Sequence, residues 1–217
     1  IVESNFSAWQ SAGYLPTMQI ETGYNTEQLI REKGWHFWHQ LFTPRQLLVT
    51  ALFIKKSKES SQTQEQIATC LLGVNRMVNW NSKLSRWSSA SAHECGLDTF
   101  YNQALNTFFN YSTRAQNALK ATWFFSINNY PIRSKNEVTI CDARECSSFC
   151  NVWITDPPYA DAVNYHELSE FFLAWDKRLL QDTFPEWYTD SKRILAVRGD
   201  EHFSQSMIEI YRNLTQH

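Results

Sequence analysis

Val152-Trp153-Ile154-Thr155-Asp156-Pro157-Pro158-Tyr159 is the stretch on which the reading of this chain turns. Its first four residues form a short β-prone run that ends at Asp156. A second such run, Val138-Thr139-Ile140-Cys141, ends at Asp142. Two buried strands are therefore expected, each delivering an aspartate at its carboxyl end. In an open parallel sheet that end is where ligands bind, so both carboxylates are expected to face one crevice. After Tyr159, Leu168, Phe171, Phe172, Trp175 and Leu179 mark one face of a helix, Pro185 breaks it, and Ile194-Leu195-Ala196-Val197 is again β-prone. Phe203, Met207, Ile210, Tyr211 and Leu214 recur at helical spacing in a last helix. Residues 137–217 read as strand, strand, helix, strand, helix.

Upstream the pattern is different. Residues 1–40 are aromatic-rich, and turn residues at Gly13, Pro16, Gly23 and Gly34 break any long period, so an irregular connector is expected. Thr43 is a suitable cap and Pro44 suits a first helical position, which predicts a helix through Leu47, Leu48, Ala51 and Leu52 to Lys55, Lys56 and Lys58. Thr63 followed by Gln66 has capping-box spacing and precedes Ile67, Cys70, Leu71, Val74 and Val78, predicting a second helix and hence a helical hairpin. Asn79 to Gly96 is polar and turn-rich, and Asp98 is placed to cap a helix carrying Leu105, Phe108 and Phe109. The expected organisation is a mainly helical insertion or connector over 1–136, joined to part of an α/β domain over 137–217.

Composition narrows the function classes. Hydrophobic residues make up 43% and aromatics 15% of the 217 residues, which excludes a disordered or low-complexity chain. No apolar run approaches the roughly 20 residues of a membrane span, and no signal peptide pattern opens the sequence, so a cytoplasmic protein is expected. The start at Ile1 and the helical pattern running into the last residues suggest a piece cut from a longer chain. A formal charge of −2 speaks against a surface that is basic all over; phosphate contacts would be local, at Arg45, Lys55 and Lys56. Five cysteines without framework spacing read as free thiols in a reducing compartment.

The tetrad Asp156-Pro157-Pro158-Tyr159 suits chemistry on an exocyclic aromatic amine. Such a nitrogen is a poor nucleophile because its lone pair is delocalised into the ring. Two acceptors bonded to its N–H groups pull it toward tetrahedral geometry, and the Asp156 carboxylate and the Pro157 carbonyl are placed to be those acceptors. Proline fixes φ near ~−65°, which holds the carbonyl dipole in place in advance of reaction. Tyr159 offers a ring on which an extruded base can stack.

In these residues the chain resembles the amino-methyltransferases, whose catalytic motif the tetrad matches. The run before Asp142 resembles the strand whose acidic end lies near the cofactor. More narrowly, Leu41-Phe42-Thr43-Pro44-Arg45-Gln46-Leu47-Leu48, Asn81-Ser82-Lys83-Leu84-Ser85-Arg86-Trp87 and Trp187-Tyr188-Thr189-Asp190-Ser191-Lys192-Arg193 resemble the DUF1156 family of adenine-specific DNA methylases. The resemblance extends from about Gly23 to the end. It implies a partial doubly wound, Rossmann-like methyltransferase sheet with a helical insertion, and transfer of a methyl group from S-adenosylmethionine to adenine N6 in DNA. The sulfonium is already electrophilic, so no metal is required. It further implies Asp142 and Asp156 near the cofactor and Tyr159 against the base; Tyr165, His166 and Glu167, just beyond the tetrad at a helix start, are placed to help shape the base pocket. Members occur in bacterial anti-phage clusters, so DNA and other defence proteins are the implied partners. The family's Asp-Pro-Phe-x-Gly-x-Gly loop is absent, the six glycines being scattered, and its Phe-Thr-His strand would follow His217. The full-length enzyme is thus expected to methylate adenine and the isolated chain to be inactive.

Other readings stand beside these. Asp142 serves equally well as a strand-end cap, and Tyr165, His166 and Glu167 as ordinary helix-terminus packing. Cys141, Cys146, Cys150 and His166 include zinc-type ligands but lack a Cys-x-x-Cys knuckle, so buried free thiols are expected. His36 and His39 lie among Trp35, Phe37 and Trp38, the pattern of an aromatic packing cluster. Related tetrads serve other planar amines, which leaves an RNA or cytosine-N4 methyltransferase open. A non-catalytic methyltransferase-like module that recognises DNA or a defence partner is the alternative from outside enzymology.

Overall fold

The computed structural model describes residues 1–88, 95–102, 104–106, 131, 134, 136–157, 164–188, 197 and 201–217. It is an α/β chain dominated by helices. In order they are α1 (Val2–Ser11), α2 (Glu27–Lys33), α3 (Pro44–Ser60), α4 (Gln64–Trp80), α5 (Tyr165–Thr183) and α6 (Phe203–Gln216). Short 3-10 turns lie at Trp38–Leu41 and Pro185–Trp187. Two strands, β1 (Arg86–Ser88) and β2 (Cys95–Leu97), pair antiparallel with Trp87 opposite Gly96.

The hairpin of α3 and α4 forms for the local reasons written in the sequence. The Thr43 hydroxyl accepts from the Gln46 backbone N–H at 3.3 Å, and the Gln46 side chain accepts from the Thr43 N–H at 2.8 Å, a reciprocal cap with Pro44 at the first helical position. At α4 the Thr63 hydroxyl accepts from Gln66 N–H at 3.3 Å, while the Gln66 side chain reaches one residue further back, to the Gln62 N–H at 2.6 Å.

α5 closes the helical body against α4, and the turn that follows α1 meets it at Arg178. Phe171 is fully buried at its centre, edge-on to Trp38 at 5.6 Å and to Phe100 at 5.0 Å, and stacked on Phe42 at 6.0 Å. Trp175, one turn on, meets Phe42 edge-on at 4.9 Å. Leu29, Leu41, Ile54, Val74 and Val78 complete the same core. The predicted apolar face of α5 is therefore real. Polar ties fix its register: Glu167, itself buried, accepts from the Asn25 N–H at 2.8 Å, and Asp176 accepts from the Asn75 side chain at 2.8 Å.

The C-terminal end of α4 is joined to the segments flanking the β1–β2 pair by hydroxyls. Ser82, Ser85 and Thr99 are fully buried; Ser82 and Thr99 hydroxyls lie 2.8 Å apart, and the Thr99 hydroxyl donates to the Asn79 carbonyl at 2.6 Å. Lys83 donates from its N–H to the Leu41 carbonyl and from Nζ to the Gln40 carbonyl, both at 2.8 Å, and lies over the Trp35 ring.

Four expectations need correction. The first 40 residues contain α1 and α2; α1 starts from Ile1, which has no capping side chain, and Thr26 before α2 donates its hydroxyl to the Glu21 carbonyl at 2.6 Å instead of capping. Asp98 does not cap a helix. It follows β2 with φ of 46° and takes the Arg86 guanidinium on one carboxylate oxygen, and the chain beyond it turns. The polar stretch from Asn79 to Gly96 contains β1 and the start of β2. Residues 138–141 and 152–155 are not strands: they have no ladder partner among the described residues, and Val138, Val152 and Ile154 are 74%, 73% and 94% exposed. A β-prone sequence needs a neighbouring strand before it becomes one, and the only sheet among the described residues is β1 and β2. The doubly wound sheet expected from these runs is therefore not present among the described residues. The third expected strand, 194–197, lies outside them except for Val197.

Candidate functional site

The segment 136–157 carries both candidate aspartates. It is irregular in conformation but tied down. The Asn213 side-chain amide on α6 donates to the carbonyls of Cys146 at 2.7 Å and Ala143 at 3.2 Å. Cys150 N–H donates to the His217 carbonyl at 3.0 Å, and Phe149 meets the His217 ring edge-on.

Asp142 sits in a tight turn of its own making. Its Oδ1 accepts from the Arg144 N–H at 2.9 Å, an Asx-type turn, and its carbonyl accepts from the Glu145 N–H at 2.9 Å. The Arg144 guanidinium then grips both carboxylate oxygens, Nε at 2.9 and 3.0 Å and Nη2 on Oδ2. With 14% of its side chain exposed, Asp142 is held below the ordinary carboxylate range, first by the Arg144 side-chain hydrogen bonds and then, against partial burial, by the Arg144 backbone bond and charge. Arg144 is the residue that sequence reading missed. Its signal was the Asp-x-Arg spacing.

Asp156 is exposed and Pro157 half-buried at the end of the extended run, next to the half-buried Trp153. Pro158 and Tyr159 lie outside the described residues. No hydrogen bond joins Asp142 to Asp156 among the described residues. Tyr165 is half exposed at the first turn of α5, and the His166 ring, mostly covered, lies 3.9 Å from the Glu167 carboxylate. Arg45 is exposed in the first turn of α3, whereas Lys55 and Lys56 lie toward its other end, about 15 Å away at helical rise. Both lysines pair with Glu59, at 3.9 and 2.7 Å, and Lys58 pairs with Asp182 at 3.4 Å. The basic cluster is thus largely answered by its own neighbours.

A cleft of about 150 Å³ lies elsewhere, between the end of α1 and α5, lined by Gln10, Gly13, Thr17, Trp175 and Arg178. It contains none of the candidate residues. Cys141 and Cys150 are exposed and Cys146 is half-buried, so the expectation of buried thiols does not hold. Among the described residues no three His, Cys, Asp or Glu side chains come together as a metal site, and no helix is long and apolar enough to cross a membrane. His39 does belong to an aromatic cluster, edge-on to Phe6 at 5.1 Å and stacked with Phe37 at 5.5 Å, and desolvation lowers its pKa.

Comparison with models of known families, with curated proteins and with solved structures finds no match. The likeness to adenine methylases therefore rests on the quoted motif residues alone. As to the cofactor, the sequence has no glycine loop of the methylase type, and among the described residues the Asp142 carboxylate is engaged by Arg144.

Proposed function

We propose that this chain is a piece of an S-adenosylmethionine-dependent DNA adenine-N6 methyltransferase of the anti-phage type, and that Asp156-Pro157-Pro158-Tyr159 is its amine-binding tetrad. The observation that carries the reading is the tetrad itself, with the Asp156 carboxylate exposed and Pro157 directly after it at the end of an extended segment. An exposed carboxylate is free to accept a hydrogen bond from an incoming amine, and the Pro157 carbonyl supplies the second acceptor on the same backbone. Tyr159 receives the face of the flipped base. In the complete enzyme the runs 138–141, 152–155 and 194–197 become strands of a Rossmann-like doubly wound sheet, which would cover the apolar side chains that are exposed here. The methionine end of the cofactor is then held by a glycine loop that this sequence does not contain. DNA and defence proteins are the partners, in the cytoplasm.

One observation favours a second reading. Arg144 saturates Asp142, the acid that would face the cofactor, as it would in a module that binds DNA or a protein partner without catalysis. Incubating the full-length protein with labelled S-adenosylmethionine and DNA, then hydrolysing to nucleosides, separates the readings. N6-methyladenine is expected. N4-methylcytosine, or labelled RNA in a parallel reaction, would move the activity to the other amino-methyltransferases, and DNA binding without any methylated product would leave the non-catalytic module.

A further inference from the structure

The turn that holds Asp142 also brings two thiols together. Cys141 and Cys146 flank the hydrogen-bonded turn of residues 142–145, closed by the Glu145 N–H on the Asp142 carbonyl at 2.9 Å. A turn of this kind brings its own ends, Asp142 and Glu145, within about 7 Å, and Cys141 and Cys146 are the next residues on either side. The Cys141 thiol interacts with that of Cys146 and with the Thr139 hydroxyl. Three further contacts fix this arrangement: the Arg144 fork on Asp142 and the two Asn213 hydrogen bonds, one of them to the Cys146 carbonyl at 2.7 Å. Cys141 is exposed and Cys146 half-buried, so reagents in solution reach the pair.

We propose that Cys141 and Cys146 form a redox-active dithiol that a peroxide oxidant converts reversibly into an intramolecular disulfide across the Asp142 turn. A disulfide needs its two Cα atoms about 4.4–6.8 Å apart, a span within reach of the two residues that flank a tight turn. One thiolate attacks hydrogen peroxide, breaking the O–O bond and becoming a sulfenic acid as hydroxide leaves and is protonated to water. The second thiolate attacks that sulfur, the S–O bond breaks, and the oxygen departs as a second water. Two thiols and one peroxide thus give one disulfide and two waters. Two thiols alone do not close a zinc site, which calls for about four ligands. The dithiol does not depend on the methyltransferase reading. Short-lived disulfides of this kind are the redox-sensing class found in reducing compartments.

The test is direct because the sequence separates the thiols for digestion. Arg144 lies between Cys141 and Cys146, and Phe149 between Cys146 and Cys150, so trypsin with chymotrypsin puts each cysteine on its own peptide. The reduced chain is treated with a few equivalents of hydrogen peroxide, alkylated, digested and mapped by mass spectrometry. A Cys141–Cys146 linked peptide is expected; it disappears on treatment with dithiothreitol, is lost in Cys141→Ser and in Cys146→Ser, and persists in Cys150→Ser. Circular dichroism on each variant reports folding. Linkage of either cysteine to Cys150 or to a second chain, oxidation that stops at single sulfenic or sulfinic acids, or full alkylation of both thiols after peroxide would each overturn the proposal.

Discussion

Gly13 and Arg178 approach so closely that a methyl group on Gly13 would lie 2.3 Å from Arg178 Cβ and 2.4 Å from Cγ. Gly13 also has φ of 77°, a conformation that L side chains rarely adopt. The end of α1 is thereby seated against α5 across almost the whole sequence. Gly34 makes a useful contrast: it ends α2 with φ of 65°, yet nothing stands within 4 Å of its absent Cβ. Gly34→Ala should cost only the backbone term, about 1–2 kcal/mol. Gly13→Ala should cost clearly more, because Arg178 Cβ and its backbone must shift as well. Urea denaturation of both variants checks the order, and equal losses would mean that α1 does not seat on α5 as described.

Phe171 is the aromatic on which the helical body converges. Phe171→Ala should destabilise by about 3–5 kcal/mol, since it removes a fully buried ring and four aromatic partners, Trp38, Phe42, Phe100 and Phe172, lose its contact. Phe172→Ala, one position along and only half-buried, should cost much less. Thermal unfolding of the pair measures the difference.

The Asp142 and Arg144 turn should respond to acid. The folded pKa of Asp142 lies below its ordinary value of 3.8, so the folded chain favours the ionised form. The stabilisation is complete above about pH 4 and is lost as pH falls through the lower folded value. Amide exchange of residues 142–146 should therefore quicken at strongly acid pH, and in Asp142→Asn it should be fast already at pH 7. Global stability should change by no more than about 1 kcal/mol, because Arg144 remains a third exposed. Exchange that is independent of pH over that range would contradict the ion pair.

Asp156→Ala in the full-length enzyme should lower single-turnover methylation by at least about 10²–10³-fold, with the melting temperature unchanged. The exposed carboxylate contributes no packing, so a structural effect has no source. Asp156→Asn keeps one acceptor oxygen and loses the charge, and should retain more activity than the alanine variant. Near wild-type turnover in Asp156→Ala would show that the tetrad is structural.

The sequence made some of this legible and not the rest, for reasons that separate by range. Thr43, Pro44 and Gln46 announce α3 because a helix cap is a local event, complete within four residues. The apolar face of α5 is equally local, and Phe171, Trp175 and Leu179 are buried where their spacing puts them. Val138 to Cys141 and Val152 to Thr155 have strand composition, but pairing depends on what lies alongside, and the described residues place no strand there. In the hydroxyl cluster, Ser82 and Ser85 come from a stretch that reads as plain turn, and Thr99 from one that reads as the start of a helix. At the candidate site the two aspartates are visible from sequence, whereas Arg144, which engages one of them, has only the weak signal of an Asp-x-Arg spacing, and its grip on Asp142 is a matter of geometry.

The tie between Asn75 on α4 and Asp176 on α5 spans 101 residues of chain, and that between Asn25 and Glu167 spans 142. During synthesis at about 5–20 residues per second, α5 emerges roughly 5–20 s after the part of α4 it covers. For that interval Leu71, Val74 and Val78 lack the helix that closes over them, and the body has no finished core to fold around. Assembly of this half of the molecule is therefore a late event on the ribosome, timed by the arrival of Phe171 and Trp175, and the nascent chain presents an open apolar surface to chaperones until they appear.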